Sequence, residues 1–365
     1  MGTPLLENYL FRNVYCPLAA NQGNKAVCGW HGNGLLPAGW EWLAYFLAGF
    51  TIIFMLVNAV LMLGMVYTWT ERRVLGRFQS RLGPNRWGPW GLLTPVADAI
   101  KLLLKEDIVP RAADRLLFNL APVLMVVPVF LTLAVVPFAH NTFLADLNIG
   151  VLFVPAVGAM TTLAIFTAGW SSSTRYALFG AMRGVAQLIS YEIPVVLALA
   201  GVVLLAGSMS LTRVVDAQGV PFLLVQPLGA FIFLVGTSAE LNRTPFDIVE
   251  AESEIIAGYH IEYSGMKWGL FQLAEFAAVL VASALLATFY LGGWSGPFAS
   301  GQLGLFWFMA KVALFTFLFI WIRATLPRLR VDQIMAFAWK FLFPMSLVNV
   351  FAGAVEVYLL RDPST

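Results

Sequence analysis

Charged residues are scarce in this chain. Asp, Glu, Lys and Arg make up 12% of its 365 residues, hydrophobic residues make up 59%, and the mean hydropathy is +0.79. Soluble domains carry about 25% charged residues. A chain this apolar cannot cover its hydrophobic surface in water, so we predict that it folds in lipid.

Metal-binding residues are also scarce. The chain has two cysteines, Cys16 and Cys28, and three histidines, His31, His140 and His260. An iron–sulfur cluster normally needs four thiolates and a structural zinc ion needs four ligands. Two of the histidines lie outside the apolar segments, so a haem held by paired histidines is not expected. We therefore predict no metal site and no cofactor bound by this chain alone. If it serves a redox reaction, the electrons travel in another subunit.

Residues 1–42 lack the basic start and apolar run of a signal peptide. Their Gly, Asn and Pro residues indicate an extramembrane N-terminal extension. Two states stay open for Cys16 and Cys28, a disulfide if the extension faces an oxidising compartment or two free thiols. We expect this extension to precede a single membrane domain at 43–360 and a short tail at 361–365.

Eight apolar segments are long enough to cross a bilayer, which takes about 20 residues. They predict an all-α polytopic membrane protein with about eight transmembrane helices. No soluble domain and no internal duplication is visible. The predicted spans are 43–70, 116–138, 150–170, 185–207, 222–241, 269–291, 303–323 and 335–360.

Lys and Arg are distributed unequally between the two sets of loops. Sixteen lie on one side, nine of them in the loop 71–115, and four lie on the other. Cytoplasmic loops carry the excess of basic residues. We therefore predict that the loop 71–115 is cytoplasmic and that both termini face outward.

The loop 71–115 contains a predicted amphipathic helix that starts with Thr94 as N-cap and Pro95 at the first helical position. Its apolar face is formed by Val96, Ile100, Leu103 and Leu104, and its polar face by Asp98, Lys101 and Lys105. Because it is too short to span, we expect it to lie in the interface plane. It either anchors the chain on lipid headgroups or forms one wall of a cavity. An acidic residue among basic ones favours an ion-pair network.

A second cytoplasmic loop, 242–267, is acidic. Thr244 and Pro245 again predict a helix start, with Asp247 at the third helical position. The carboxylates of the loop are Asp247, Glu250, Glu252, Glu254 and Glu262. Close carboxylates raise one another's pKa, so the cluster either is solvated and docks a basic partner or shares protons near neutral pH. The apolar residues between the carboxylates favour a segment held against the membrane domain.

Glu192, Glu240 and Glu275 fall within predicted spans. Ionisable residues at such depths usually mark an ion or proton path. By the predicted topology all three lie toward the cytoplasmic half. The alternative for any one of them is a structural ion pair with an arginine such as Arg183 or Arg323. Several glutamates at similar depth favour a polar, hydrated path.

Four motifs make this chain resemble one membrane subunit of respiratory complex I, which is designated by the letter H in bacteria and called subunit 1 in mitochondria. They are ERRVLGRFQSRLGPNRWGPWGLLTPVADAIKLLLKED at 71–107, YALFGAMRGVAQLISYE at 176–192, RTPFDIVEAESEIIAGYHIEY at 243–263 and WIRATLPRLRVDQ at 321–333. The likeness covers residues 43–360. The extension before residue 43 is longer than the family usually carries, and Ala159 stands where some members have another glutamate.

The resemblance implies a membrane subunit of proton-translocating NADH:quinone oxidoreductase. Such a subunit forms much of the quinone-access chamber and couples quinone reduction to proton translocation. By position, the chamber residues are Arg72, Arg81, Asp98, Lys101, Lys105, Arg243 and Arg323. The proton-path residues are Glu192, Glu240, Asp247, Glu250, Glu252, Glu254, Glu262 and Glu275. None of these residues is expected to be catalytic.

The resemblance also implies partners and a location. Quinone would be the substrate, and NADH, FMN and the iron–sulfur clusters would be held by partner subunits. Those partners are hydrophilic-arm subunits carrying the terminal iron–sulfur cluster and the quinone headgroup site, small membrane subunits and antiporter-like pumping subunits. Lipid is a further partner and nucleic acid is not. The expected location is the bacterial inner membrane.

Three other interpretations compete with this one. The chain could be the homologous subunit of an energy-converting hydrogenase or formate hydrogenlyase, but the first-loop motif favours the quinone enzyme. A stand-alone ion or solute transporter predicts activity of the isolated chain. A passive scaffold that anchors the peripheral arm predicts tolerance to neutralising the buried glutamates.

Overall fold

A computed structural model of the chain describes residues 8–19, 40–249, 256–298 and 303–360. Over these ranges the chain is helical and contains no strand, apart from one isolated bridge between Ala139 and Thr142. Seven of the helices described are long and apolar enough to cross a membrane. The prediction of an all-α polytopic membrane protein is confirmed.

The helices follow one another as α1 to α13. They are α1 (Tyr9–Ala19), α2 (Glu41–Phe78), α3 (Thr94–Leu104), α4 (Arg115–Val135), α5 (Gly150–Ser171), α6 (Arg175–Ala206), α7 (Leu211–Asp216), α8 (Phe222–Val225), α9 (Pro227–Glu240), α10 (Gly265–Tyr290), α11 (Gly304–Thr325), α12 (Val331–Phe337) and α13 (Phe343–Leu360). A π-helical turn, Ala338–Leu342, joins α12 to α13 into one long element.

The fifth predicted span, 222–241, is not a full-length helix. It consists of α8 and α9, separated at Gln226, whose φ of −119° and ψ of 66° are not helical. A residue that precedes proline is disfavoured in the helical region, and Pro227 follows Gln226. The fourteen residues of α9 cover only ~21 Å at ~1.5 Å per residue, which is less than the ~30 Å of bilayer hydrocarbon.

The predicted N-terminal extension contributes one described helix, α1. Near the start of α2, the Tyr45 ring stacks on Phe11, with ring centroids 5.6 Å apart, and contacts the tilted ring of Tyr15 at 4.4 Å. The backbone N–H of Tyr9 donates to Asn141 O at 3.0 Å, in the loop after α4. Of the two states left open for the cysteines, the disulfide is the one found at Cys16 on α1, and Cys28 lies outside the residues that the structure describes.

The core lies where α4, α5, α6, α9 and α10 meet. Of the seven candidate spans, α10 is the most enclosed and α2 the most exposed, so α10 passes through the centre of the bundle while α2 lies at its rim. At the far end of α10, the Lys311 ammonium of α11 donates to the carbonyls of Leu291, Gly293 and Ser295 at 2.6, 2.9 and 2.5 Å. This charged residue inside a span therefore holds the turn that links α10 to α11.

Candidate functional site

The surface helix α3 begins one residue earlier than predicted. Leu93, with φ −83° and ψ −2°, occupies the N-cap, and Thr94 is the first helical residue and makes no side-chain cap. The reason is the tight turn before it. Leu93 N donates to Trp87 O at 3.2 Å, and Gly91, at φ +75°, packs so closely on the backbone of Pro84 that a Cβ would lie 2.5 Å from its oxygen. This turn fixes where the helix starts.

Asp98 on α3 is the centre of an ion-pair network. Its carboxylate accepts from Arg72 Nη1 at 2.8 Å and from Lys101 Nζ at 3.1 Å, so the predicted network is confirmed. Burial works to raise the pKa of Asp98, but the hydrogen bonds from Arg72 and Lys101 outweigh it and hold the pKa below its ordinary value. The apolar face of α3 stays open, with Leu103 64% and Leu104 82% exposed, as expected for a helix that lies in a membrane interface.

A buried ion cluster lies beside this network. Glu71, the residue before Arg72, is 3% exposed. Its carboxylate accepts from Arg243 Nη1 at 3.3 Å and also pairs with Arg323. The Arg243 guanidinium lies over the Phe276 ring, 4.9 Å from its centroid. The cluster therefore joins the end of α2, the start of the acidic loop, α10 and the end of α11.

No helix starts at Thr244 and Pro245 in the described residues 242–249 of the acidic loop, so the predicted helix start there is wrong. Farther along the loop, Gly258–His260 form one short 3-10 turn. Residues 241–249 form turns, and the Thr244–Pro245 peptide bond is cis. The physical reason is burial, because Phe246, Ile248 and Val249 are each at most 5% exposed. A regular helix on this surface would not bury the side chains at positions i, i+2 and i+3 together, because they do not share one narrow face. Tertiary packing overrides the local propensity.

Gln187 on α6 holds this turn in place. Its Nε2 donates to Ala239 O and to Phe246 O, each at 2.8 Å, and the residue is completely buried. Farther along the turn, the Asp247 carboxylate accepts from Arg328 Nη2 at 2.6 Å. The basic loop before α12 is thereby tied to the acidic loop.

The other predicted carboxylates of the loop are only partly described. Glu250, Glu252 and Glu254 lie outside the residues that the structure describes. Glu262 lies partly exposed in the turn before α10. The next residue, Tyr263, stacks on Phe118 with ring centroids 4.0 Å apart, and burial raises its pKa to about 12 despite hydrogen bonds from two serines.

Glu192 and Glu240 line one cavity of about 130 Å³ between α4, α5, α6, α9 and α10. The remaining wall is largely apolar and includes threonines, among them Thr132, Thr161 and Thr237. A water needs ~10–15 Å³ of such space together with polar partners, so the cavity has room for several waters beside two carboxyl groups.

Glu240 also lines a second, smaller cavity of about 30 Å³, which Glu275 borders on its other side. The Glu275 carboxylate is 6% exposed and accepts from the hydroxyl of fully buried Tyr259 at 3.1 Å. Glu275 lies farther from the start of its helix than predicted, because α10 starts at Gly265 instead of residue 269. The three glutamates are thus arranged around two adjoining cavities, and Glu240 belongs to both.

Comparison with known proteins identifies the family of this chain. A family model described as NADH dehydrogenase matches residues 50–354. The H-type subunit of NADH-quinone oxidoreductase from Dehalococcoides mccartyi strain CBDB1 is 55% identical over 319 residues, which are 86% of this chain and 90% of that protein. The corresponding protein of Geobacillus kaustophilus strain HTA426 is 48% identical over 320 residues, 87% of this chain and 95% of that protein.

The chain belongs to the NADH dehydrogenase family. Its likeness to the H-type membrane subunit of complex I, predicted from four motifs, is confirmed, and so is its place in an enzyme complex, NADH-quinone oxidoreductase. A third relative, the H-type subunit from Anoxybacillus flavithermus strain DSM 21510 / WK1, is 51% identical over 288 residues, 78% of this chain and 86% of that protein. The chain is therefore one subunit of a multi-subunit complex. Its seven long apolar helices are consistent with a multi-pass membrane protein.

Within this family member, the predicted chamber residues are not equally close together. Arg72, Asp98 and Lys101 form one network, and Arg243 and Arg323 meet at Glu71. The other two, Arg81 and Lys105, are exposed on the turn after α2 and at the end of α3 respectively.

Three residues that the sequence did not assign hold the site together. Glu71 carries the paired arginines, Gln187 fixes the turn after α9, and Tyr259 donates to Glu275. Glu71 could have been found, because it stands directly before Arg72 and Arg73 where a long apolar run ends. Nothing local to Gln187 indicates its role, since its partners lie more than fifty positions away.

Proposed function

We propose that this membrane subunit forms much of the quinone-access chamber of NADH-quinone oxidoreductase and couples quinone reduction to proton translocation through buried carboxylates. The observation that carries the proposal is the pair of adjoining cavities that connect Glu192, Glu240 and Glu275. Ionisable groups inside a membrane are costly and are kept for proton or ion movement. A passive scaffold has no use for three of them around shared cavities.

The chamber is assigned to the face where α3 meets the end of α2. Asp98 and its basic partners present polar groups there, and the apolar side of α3 is open to lipid. A quinone combines a long apolar tail with a polar ring. It therefore suits a site that has polar groups on one side and an apolar surface on the other. Arg81 and Lys105 are assigned to the rim of the same face because they are exposed, whereas Glu262 is assigned to the proton path of the acidic loop.

The coupling runs from the chamber to the cavities through the turn after α9. Arg243 lies three positions beyond Glu240 and pairs with Glu71 on α2. A change of charge within ~4–6 Å can move the pKa of a carboxylate by one to three units. A charged intermediate near Glu71 and Asp247 would therefore change the protonation of the acidic loop, to which we assign Glu250, Glu252 and Glu254, and then that of Glu240.

The remaining parts of the proposal concern the assembly. Quinone is the substrate, and the chain itself holds no NADH, FMN or iron–sulfur cluster, which belong to hydrophilic-arm subunits. Small membrane subunits and antiporter-like subunits receive the coupling signal. The membrane domain extends over 43–360 in a bacterial inner membrane, between the extension at 1–42 and the tail at 361–365. The relatives are named for quinone chemistry, which favours this function over that of a hydrogenase subunit.

The substitution Glu240→Gln in the whole complex tests the proposal. It keeps the shape of the side chain but removes the titratable group that both cavities share. We expect proton pumping, measured by dye quenching in inverted membrane vesicles, to fall at least tenfold per NADH oxidised. Glu106→Gln, at an exposed position outside the cavities, is the matched control. Unchanged quinone reduction together with unchanged pumping in Glu240→Gln would contradict the coupling role.

A further inference from the structure

The cavity that holds Glu192 and Glu240 extends far from them toward the outer side. Along α4 it is lined by Pro128, Val129 and Thr132, and along α5 by Val154, Pro155 and Gly158. Thr132 is three residues from the end of α4, and Val154 is four residues from the start of α5. At ~1.5 Å per residue, the cavity ends about 5 Å before the outer ends of both helices.

Threonine hydroxyls line the cavity at three levels, with Thr237 one turn before Glu240, Thr161 in the middle of α5 and Thr132 at the outer end. Thr132 Oγ1 donates to Pro128 O at 2.8 Å, Thr161 Oγ1 to Gly158 O at 2.6 Å and Thr237 Oγ1 to Phe233 O at 2.7 Å. Each hydroxyl has one donor and two acceptor sites. Because the donor is used within the helix, the free acceptor sites are left for water in the cavity. The route from the glutamates to Thr132 is therefore suited to a chain of waters.

A thin apolar layer closes the outer end. Val135 and Val151 continue the cavity-lining faces of α4 and α5, at helical spacing from Thr132 and Val154, and Leu211 starts α7 beside them; all three are at most 4% exposed. They meet over Gly150, where an added Cβ would lie 2.4 Å from Leu211 Cδ1 and 3.2 Å from Val135 Cγ1. The layer is about one helical turn thick, so the movement of a single side chain would open it.

A polar cluster lies next to this layer on its outer side. Ser210, adjacent to Leu211, donates to Asp146 Oδ1 at 3.0 Å, and Thr212 Oγ1 lies 3.2 Å from both carboxylate oxygens. Asp146 is exposed in the loop between α4 and α5. Asp146 is thus a proton acceptor in contact with water, and a single layer of apolar side chains separates it from the cavity.

We propose that this chain contains its own gated proton outlet, in which protons pass from the Glu192–Glu240 cavity along the threonine hydroxyls, through an apolar gate formed by Val135, Val151 and Leu211, to Asp146. The outlet rests on the proposed coupling role and adds to it a direct exit within this subunit. The gate is closed in this structure. Opening requires the Leu211 side chain to move away from Gly150.

Accessibility to a thiol reagent from the outer side tests the outlet. Thr161→Cys is placed in a complex whose Cys16 and Cys28 are replaced by serine, in right-side-out vesicles that receive a membrane-impermeant methanethiosulfonate. We expect slow labelling of Thr161→Cys, at least tenfold faster labelling when Leu211→Ala is added, and no labelling at Thr288→Cys, which is buried in α10 away from the cavity. Val151→Ala serves as a second gate variant if Leu211→Ala fails to assemble.

Gly158→Leu provides the blocking test. Gly158 lines the cavity between Val154 and Thr161, and an added Cβ there meets nothing within 4 Å, so a larger side chain fills the cavity without a clash. In Gly158→Leu complexes that assemble and oxidise NADH, we expect outer labelling of Thr161→Cys to stop and the passive proton leak that Leu211→Ala produces in de-energised vesicles to be abolished. Gly49→Leu, also at a position with nothing within 4 Å, is the control that should change neither.

Two results would overturn the outlet. One is labelling of Thr161→Cys from the inner side alone, unaffected by either gate variant. The other is normal outer labelling and leak in Gly158→Leu. The coupling role is judged separately by pumping in Glu240→Gln, so the outlet can fail while that role stands. If Glu240→Gln pumps normally while the leak depends on Gly158 and Leu211, the coupling role fails and the water route remains.

Discussion

Glu71 shows how much of the site depends on one residue that the sequence did not assign. Arg243 and Arg323 come from parts of the chain 172 and 252 positions away from it, and both meet its carboxylate at a position with almost no exposure. The Arg243 side chain is 10% exposed and the Arg323 side chain 32%. Arg243 above all needs a counter-ion, because a buried unpaired charge costs several kcal/mol. The charge of Glu71 therefore keeps the acidic loop and the end of α11 against α2.

Replacing Glu71 by Gln should destabilise the subunit by about 3–5 kcal/mol, the range for removing one partner of a buried ion pair. The loss should appear as a lower temperature of thermal inactivation of the purified complex. Asp332→Asn, which removes an exposed pair with Arg330 at 3.6 Å, is the control and should change that temperature little, since surface pairs contribute about 0–1 kcal/mol. Equal effects of the two variants would show that the Glu71 cluster is not held by its charge.

At the scale of elements, the acidic loop depends on close contact with α6. Gly180 faces the backbone of the loop, and a Cβ there would lie 2.8 Å from Gly258 Cα and 3.0 Å from Tyr259 N. Backbone atoms cannot move aside as the end of a side chain can. This approach places the hydroxyl of Tyr259 3.1 Å from the carboxylate of Glu275 on α10. The packing of the acidic loop on α6 therefore sets the hydrogen bond that Glu275 receives.

Gly180→Ala should therefore displace residues 258–259 and weaken the contact of Tyr259 with Glu275. We expect a loss of about 1–3 kcal/mol, typical of overpacking, together with a several-fold drop in proton pumping by the assembled complex. Tyr259→Phe should reproduce the drop in pumping with a smaller loss of stability. Gly49→Ala, where a Cβ meets nothing within 4 Å, is the control. Wild-type pumping in both Gly180→Ala and Tyr259→Phe would exclude a role for this contact.

At the scale of the whole molecule, the orientation in the membrane decides which side each site faces. The prediction that the loop 71–115 is cytoplasmic and that both termini are outside rests on the distribution of Lys and Arg. The ion pairs described above, from Arg72 to Arg328, lie at the same end of the bundle as that loop. The chamber and the acidic loop therefore share one side, whichever compartment it faces.

Single cysteines in a complex with Cys16 and Cys28 replaced by serine test this orientation. Gln79→Cys lies in the exposed turn after α2, and Gly219→Cys lies in an exposed loop at the opposite end. With an impermeant maleimide, we expect Gly219→Cys to be labelled in right-side-out vesicles and Gln79→Cys only in inverted ones. The reverse pattern would show that the charge distribution does not set the topology here.

The sequence by itself determined the class of protein, most of the spans and the family, because apolar length, basic loops and long motifs are local properties of the chain. An ion-pair network around Asp98 was also predicted from the basic residues near it, whereas its partner Arg72 on α2 was identified only by the structure. The tertiary structure alone decided that α8 and α9 replace a full span, that residues 241–249 form turns instead of a helix, and that Glu240 borders two cavities. These features depend on contacts between residues distant in sequence, such as Gln187 with Phe246 and Glu71 with Arg323, which override local preferences and leave no periodic signal.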